Sequence, residues 1–228
     1  MTSERASLLM EYGLFLGSYE GSNVVGTRLI EEIVEDHVLD SMSCMLFEPT
    51  RKANELVDIG SGGGLPGLPL AITRGDLKVS LVESTAKKAK FLNEAVDHLS
   101  VTNAQIVNAR AEDVGKSRKH RGLYDVATAR ALASLDVLAE YCLPLVRLGG
   151  YVIAMKARVE KDELDRGRTA AELLGGEVVD VIPVERLPDY EQKQRNLVVF
   201  EKTSKTPDKY PRRVGLPVKK PLSETGNR

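Results

Sequence analysis

Gly60, Gly62, Gly63 and Gly64 place four glycines within five positions, and Pro66 and Gly67 follow at once. Ahead of them runs Leu56-Val57-Asp58-Ile59, and behind them Leu68-Pro69-Leu70-Ala71-Ile72. An apolar run, a glycine turn and a second apolar run read as strand, loop and helix. Glycine has no Cβ, so a ligand can lie directly on the backbone, and it turns through positive φ without penalty. The helix start leaves N–H groups unpaired and aimed at the same spot. Such a loop binds a nucleotide-like cofactor at the carboxyl edge of a parallel sheet. The spacing alone leaves the cofactor open. Gly62, Gly64 and Gly67 satisfy the dinucleotide pattern G-x-G-x-x-G, and Gly60, Gly62 and Gly64 the G-x-G-x-G pattern of S-adenosylmethionine (SAM) enzymes.

Further positions have side chains suited to chemistry. Glu83 ends the run Lys78–Val82, 23 residues after Gly60. A carboxylate there accepts from both hydroxyls of a ribose; the competing reading is a helix cap. Arg130 follows the strand Tyr124–Ala129 and Lys156 follows the strand Tyr151–Met155. Both come at the carboxyl ends of strands, where open sheets bind ligands; the plain alternative for Lys156 is a charge marking the surface. Ala109-Arg110-Ala111-Glu112-Asp113 closes a third strand, where backbone and carboxylate would lie beside an adenine. His37 and Asp40, three apart on a helix, face the same way as a possible pair or as a solvated one. Cys44 and Cys142 have no metal or redox spacing, and no His, Cys and carboxylate cluster has ligand spacing, so no metal is expected.

These groups need a frame. Residues 4–20 and 29–46 repeat apolar residues at helical spacing, and 49–54 reads as a linker. Strands at 56–59, 78–83, 103–108, 124–129 and 151–155 alternate with helices at 68–72, 85–99 and 135–148, the last stopping at Gly149-Gly150. A charged amphipathic helix, 159–174, precedes strands at 177–187 and 196–201. The connector 188–195 is too short for a parallel crossover, so the last two strands form a hairpin with one strand antiparallel to the rest. The fold class is α/β: a Rossmann-like, seven-stranded, mostly parallel sheet with an antiparallel terminal hairpin. The boundaries expected are an N-terminal helical extension (1–50), a cofactor domain (51–203) and a basic, disordered tail (204–228). That order suits a SAM-dependent methyltransferase better than a dehydrogenase, which would double the βαβαβ unit.

The chain has 228 residues, enough for one good-sized core, with 42% apolar and 29% charged residues. No apolar run approaches the ~20 residues of a membrane span, and Met1–Arg5 lacks a signal-peptide layout, so a cytoplasmic protein without membrane contact is expected. The net charge of −1 hides an uneven distribution. Residues 1–50 carry two basic and nine acidic side chains; residues 201–228 carry eight basic and three acidic. A cationic end can meet phosphates.

Read together, Asp58–Gly67, Glu83-Ser84 with the lysine-rich helix, Arg110–Asp113, Arg130-Ala131, Met155-Lys156 and Arg195–Val198 resemble the RsmG/GidB family, as do Arg28, Glu32, His37, Asp40 and Ser41 upstream and the tail Lys209–Arg213 with Lys219-Lys220-Pro221. These enzymes methylate N7 of a guanine in 16S ribosomal RNA. The resemblance runs from about residue 23 to the end of the sequence. Ala157 stands where the family usually has Gly, and the chain has no Trp before Asn23. By this resemblance, SAM is the cofactor, held by Gly60, Gly62, Leu65, Glu83, Ala111, Glu112 and Arg130. Donors to guanine O6 would select guanine and leave N7 free, and Arg130 and Lys156 are the candidates for this; His37, Arg195, Arg212 and Arg213 are the candidate RNA contacts. The partner implied is 16S rRNA or the small ribosomal subunit; the sequence leaves the oligomeric state open, with a monomer favoured. The rival readings are an NAD(P)-dependent oxidoreductase and a non-enzymatic SAM- or RNA-binding module.

Overall fold

The structure is a computed structural model that describes residues 2–21, 24–184 and 194–224. Its strands are β1 (Glu55–Ile59), β2 (Lys78–Val82), β3 (Ala104–Val107), β4 (Tyr124–Arg130), β5 (Val146–Lys156), β6 (Gly176–Pro183) and β7 (Asn196–Lys202). They form one seven-stranded sheet of order β3-β2-β1-β4-β5-β7-β6. The helices are α1 (Ser3–Ser18), α2 (Ile30–Ile33), α3 (Asp40–Met42), α4 (Glu48–Lys52), α5 (Gly67–Thr73), α6 (Ala86–His98), α7 (Ala111–Lys116), α8 (Leu135–Cys142), α9 (Lys161–Leu173) and α10 (Leu216–Lys219). Among the described residues no helix is long and apolar enough to cross a membrane.

The chain divides into two compact units, 1–109 and 110–228. In the first, β1 pairs parallel with β2 and β2 parallel with β3. Leu56, Val57, Ile59, Val79, Leu81 and Val82 are buried, the near-continuous apolar run of strands covered on both faces. Gly67 opens α5 because only a residue without Cβ fits: a Cβ would overlap Leu81 Cδ2 and come within 2.9 Å of Asp58 Cβ. The expected helical extension is not a separate body. α1 buries Leu9, Tyr12 and Leu16, and Arg5 donates to the carbonyl of Thr73 at 2.6 Å. Its apolar face has no core of its own to enter, so it packs into the first unit. The second predicted helix is broken into α2, a π-helical segment (Val34–Leu39), α3 and a 3₁₀ turn (Ser43–Leu46). The stretch 49–54 is not a plain linker, since Pro49 sits in the first turn of α4 where its missing N–H is harmless.

In the second unit β4 and β5 are parallel, β7 is antiparallel to both β5 and β6, and the hairpin is therefore as expected. Most of its connector lies outside the described residues. The helix expected over 135–148 ends at Cys142, because Pro144 has no N–H and cannot sit inside a helix. Gly149 and Gly150 consequently lie within β5 rather than at a helix end.

The basic tail is the main departure. Residues 204–224 are not disordered but pack on the second unit: Thr206, Tyr210 and Leu222 are buried. Arg121 donates to the carbonyls of Thr206 and Tyr210 at 2.9 and 2.8 Å. Glu140, fully buried, takes the Arg212 guanidinium through Nη2 at 2.6 Å and the Arg212 N–H at 2.7 Å. Ser223 donates to Asp136 at 2.5 Å. Composition alone predicts a disordered cationic tail free to meet phosphates. Buried carboxylates on α8 pair with that tail instead. Removing one partner of a buried ion pair strands the other, at a cost of about 3–5 kcal/mol. Arg212→Ala is therefore expected to lower the thermal unfolding midpoint by about 6–20 °C, against almost no change for the exposed Arg213→Ala.

Candidate active site

The glycine loop of the first unit is fixed from three sides. Gly60 and Ser61 donate their N–H groups to the carbonyl of Val82 at 2.9 and 3.0 Å, so the loop continues the β1–β2 ladder. The buried Asp58 accepts the Gly67 N–H at 3.2 Å, closing the loop across its base. The fully buried Tyr12 donates its hydroxyl to the carbonyl of Gly63. Gly60, Gly62 and Gly64 have φ of 71°, 57° and 89°, the left-handed region that side chains avoid. At Gly62 a Cβ would meet nothing closer than the Gly60 carbonyl, 3.8 Å away. The ledge at Gly62 is thus open space kept free of side chain.

Glu83 stands beside this ledge. One carboxylate oxygen accepts the Gly62 N–H at 3.0 Å and the other accepts the Thr85 N–H at 2.7 Å. Asn108 holds the Glu83 carbonyl at 2.7 Å. The side chain is 5% exposed and its direction is set before any ligand arrives. A carboxylate has about four lone-pair sites, so each oxygen keeps one for a ribose hydroxyl. A half-buried glycine ledge at Gly60 and Gly62 and a preset acid fit the adenosine part of SAM. Leu65 is buried, and its N–H bonds the Ser61 carbonyl at 3.0 Å.

In the second unit Arg130 ends β4 and Lys156 ends β5, with Arg130 paired to Met155 in the ladder. Ala131, directly after Arg130, has φ of 49°. A left-handed alanine costs on the order of 1 kcal/mol and marks a backbone held for a purpose. Lys156 is more tightly bound than its sequence position suggested: Nζ meets Glu163 at 2.7 Å and the Ala133 carbonyl at 3.2 Å. The same Glu163 oxygen accepts the N–H of Leu135 at 3.2 Å, the start of α8. Glu163, on α9, was invisible to sequence reading because nothing in its helix distinguishes it from its charged neighbours. Tyr12 was missed for the same reason, since an aromatic at helical spacing reads as core.

Glu112 is corrected in its role. Its carboxylate is buried against the tail, where it accepts the Gly215 N–H at 2.8 Å and the hydroxyl of Tyr141. Burial and that carboxylate push Tyr141 up to about 12. Ala111 and Glu112 form the first turn of α7. Arg212 is corrected as well, because its guanidinium is spent on Glu140. Arg213 is exposed, and Arg195 and His37 are half-buried, the latter in the π-helical segment with its carbonyl taken by Ser41 at 2.6 Å.

Comparison with known proteins identifies the class. Residues 12–198 match the family model described as GidB, rRNA small subunit methyltransferase G. The chain is 50% identical over 224 residues to ribosomal RNA small subunit methyltransferase G of Rubrobacter xylanophilus, covering 98% of this chain and 86% of that one. It is 50% identical over 192 residues to the protein of that name from Roseiflexus sp., covering 84% and 80%. Among solved structures, M. jannaschii TYW2 in complex with AdoMet superposes with a TM-score of 0.54 at 18% identity, over 72% of this chain and 75% of that one. That likeness gives the fold. The ledge and Glu83 suit the cofactor such an enzyme needs, and the match spans most of the chain: it belongs to the rRNA small subunit methyltransferase G (GidB) family of SAM-dependent methyltransferases.

Proposed function

We propose that the chain methylates N7 of a guanine in 16S rRNA, in the cytoplasm and as a monomer. The observation that carries the reading is the Glu83 carboxylate fixed beside an open glycine ledge, in a chain of this family. Bound SAM supplies a methyl group on a sulfonium. Guanine N7 carries a lone pair and no proton, so the protein needs no general base. Its residues orient, and positioning of this kind contributes roughly 7–11 kcal/mol. Gly60 and Gly62 supply bare backbone, Glu83 takes the ribose hydroxyls, and the backbone of Ala111 and Glu112 borders the adenine. Arg130 and Lys156 donate to guanine O6, which selects guanine and leaves N7 uncovered. Glu163 aims Lys156 and is a positioning residue. Exposed cations of the tail, Arg213, Lys219 and Lys220, contact RNA phosphates.

Glu83→Ala removes a charged acceptor, worth about 1.5–3 kcal/mol. Calorimetric titration is expected to show SAM affinity falling on the order of 10- to 100-fold; unchanged affinity rules out the ribose role. Arg130→Ala and Lys156→Ala should each slow methyl transfer to unmodified small-subunit RNA by about tenfold or more, from loss of one guanine contact worth about 1–3 kcal/mol. Lys156→Ala should leave SAM affinity intact, and wild-type turnover in both variants would dismiss the assignment. Replacing Arg213, Lys219 and Lys220 together by serine should lower RNA affinity and reduce the slope of log affinity against log salt by about 2. An unaltered slope would place the RNA elsewhere.

A further inference from the structure

The second unit holds a cavity of about 340 Å³ on the side of β5 away from Lys156. It is lined by Arg121, Arg147, Lys202, Lys205, Thr206 and Pro144, among others. Arg147 and Lys205 are exposed at its rim, while Lys202 is 3% exposed. The four cations are not equally compensated. Arg147 pairs with Asp125 at 2.6 Å, and Lys205 with Asp208 at 3.1 Å. Arg121 spends its donors on the carbonyls of Gly115, Thr206, Pro207 and Tyr210. Lys202 donates to the Leu174 carbonyl at 2.9 Å and to the Thr206 hydroxyl. Carbonyls and hydroxyls offer dipoles, not charge. Among the described residues neither Arg121 nor Lys202 has a carboxylate partner.

A buried cation without a counter-charge is costly; Lys202 is one, and the half-buried Arg121 adds a second positive charge to the same cavity lining. The strain shows in Lys202, which burial and then the charge of Arg121 pull down to about 7. We propose that this cavity binds a dianionic phosphate group, either inorganic phosphate or the terminal monoester of an RNA, whose two charges supply the carboxylates that Lys202 and Arg121 lack. Two uncompensated cations match a phosphate with two negative charges rather than a bridging phosphodiester with one. The ligand touches β5, β7 and the start of the tail, so it fastens the tail to the sheet. Nothing in this site depends on the methyl-transfer reading.

The test is thermal unfolding of the full chain in inorganic phosphate and in chloride of equal ionic strength. At phosphate about 100 times the dissociation constant the midpoint should rise by about 5–10 °C over chloride. Lys202→Met should lose that rise while melting no lower than the wild type in chloride, because methionine fills the same space without a buried charge. Should that variant fail to fold, Arg147→Ser with Lys205→Ser, both at the exposed rim, should weaken phosphate binding about tenfold. A 5′-phosphorylated RNA oligonucleotide that displaces phosphate, where its 5′-hydroxyl counterpart does not, identifies RNA as the source; displacement by neither identifies the free anion. No phosphate-specific rise in the wild type, a full rise in Lys202→Met, or undiminished affinity in the rim variant overturns the proposal.

Discussion

The first unit depends on one carboxylate making two backbone bonds. Glu83 joins the end of β2 to the glycine loop through Gly62 and to the start of α6 through Thr85. Without side chains of their own, the loop glycines have little to hold them in place, and flexible backbone loses the most entropy on ordering. The bonds from Glu83, the Val82 carbonyl, Asp58 and Tyr12 offset that loss with groups already buried. The same carboxylate ties the loop to the end of β2 and to the start of α6 at once, so losing it loosens both.

The second unit rests on a different device, buried acids on α7 and α8 that receive the tail. Glu112, Asp136 and Glu140 are each at least 95% buried, and each takes a donor from residues 212–223. Left unpaired, such carboxylates would destabilise the unit, so the tail completes it rather than decorating it. Gly115 is part of the same fit: a Cβ there would lie 2.8 Å from Pro211. Lys202 and Arg121 are the mirror case, cations for which the described residues offer no carboxylate partner. Arg130 and Lys156 sit at strand ends, with Lys156 held by Glu163 on α9.

Much of this was legible in the sequence. Gly60 to Gly67 between two apolar runs specified strand, turn and helix, because glycine spacing and apolar periodicity are local properties. Glu83, Arg130 and Lys156 were found by counting to strand ends, and the terminal hairpin by the length of its connector. The readings that failed were of charge. Arg212 and Glu112 looked like binding groups, and the tail looked disordered, because composition registers a charge without registering whether an opposite charge lies buried nearby. Pro144 in turn shortened a helix that apolar spacing alone would have carried on to 148.

By itself the sequence determined the order of elements, the glycine turn with an acid at the end of the next strand, and the family, all of which depend on residue type at short or regular spacing. Tertiary structure alone decided that Tyr12 bonds the Gly63 carbonyl, 51 residues on, that Glu163 aims Lys156, and that Glu140 claims Arg212 from 72 residues away. Those pairings follow from which side chains the fold brings within hydrogen-bond reach, and separation along the chain carries no trace of it.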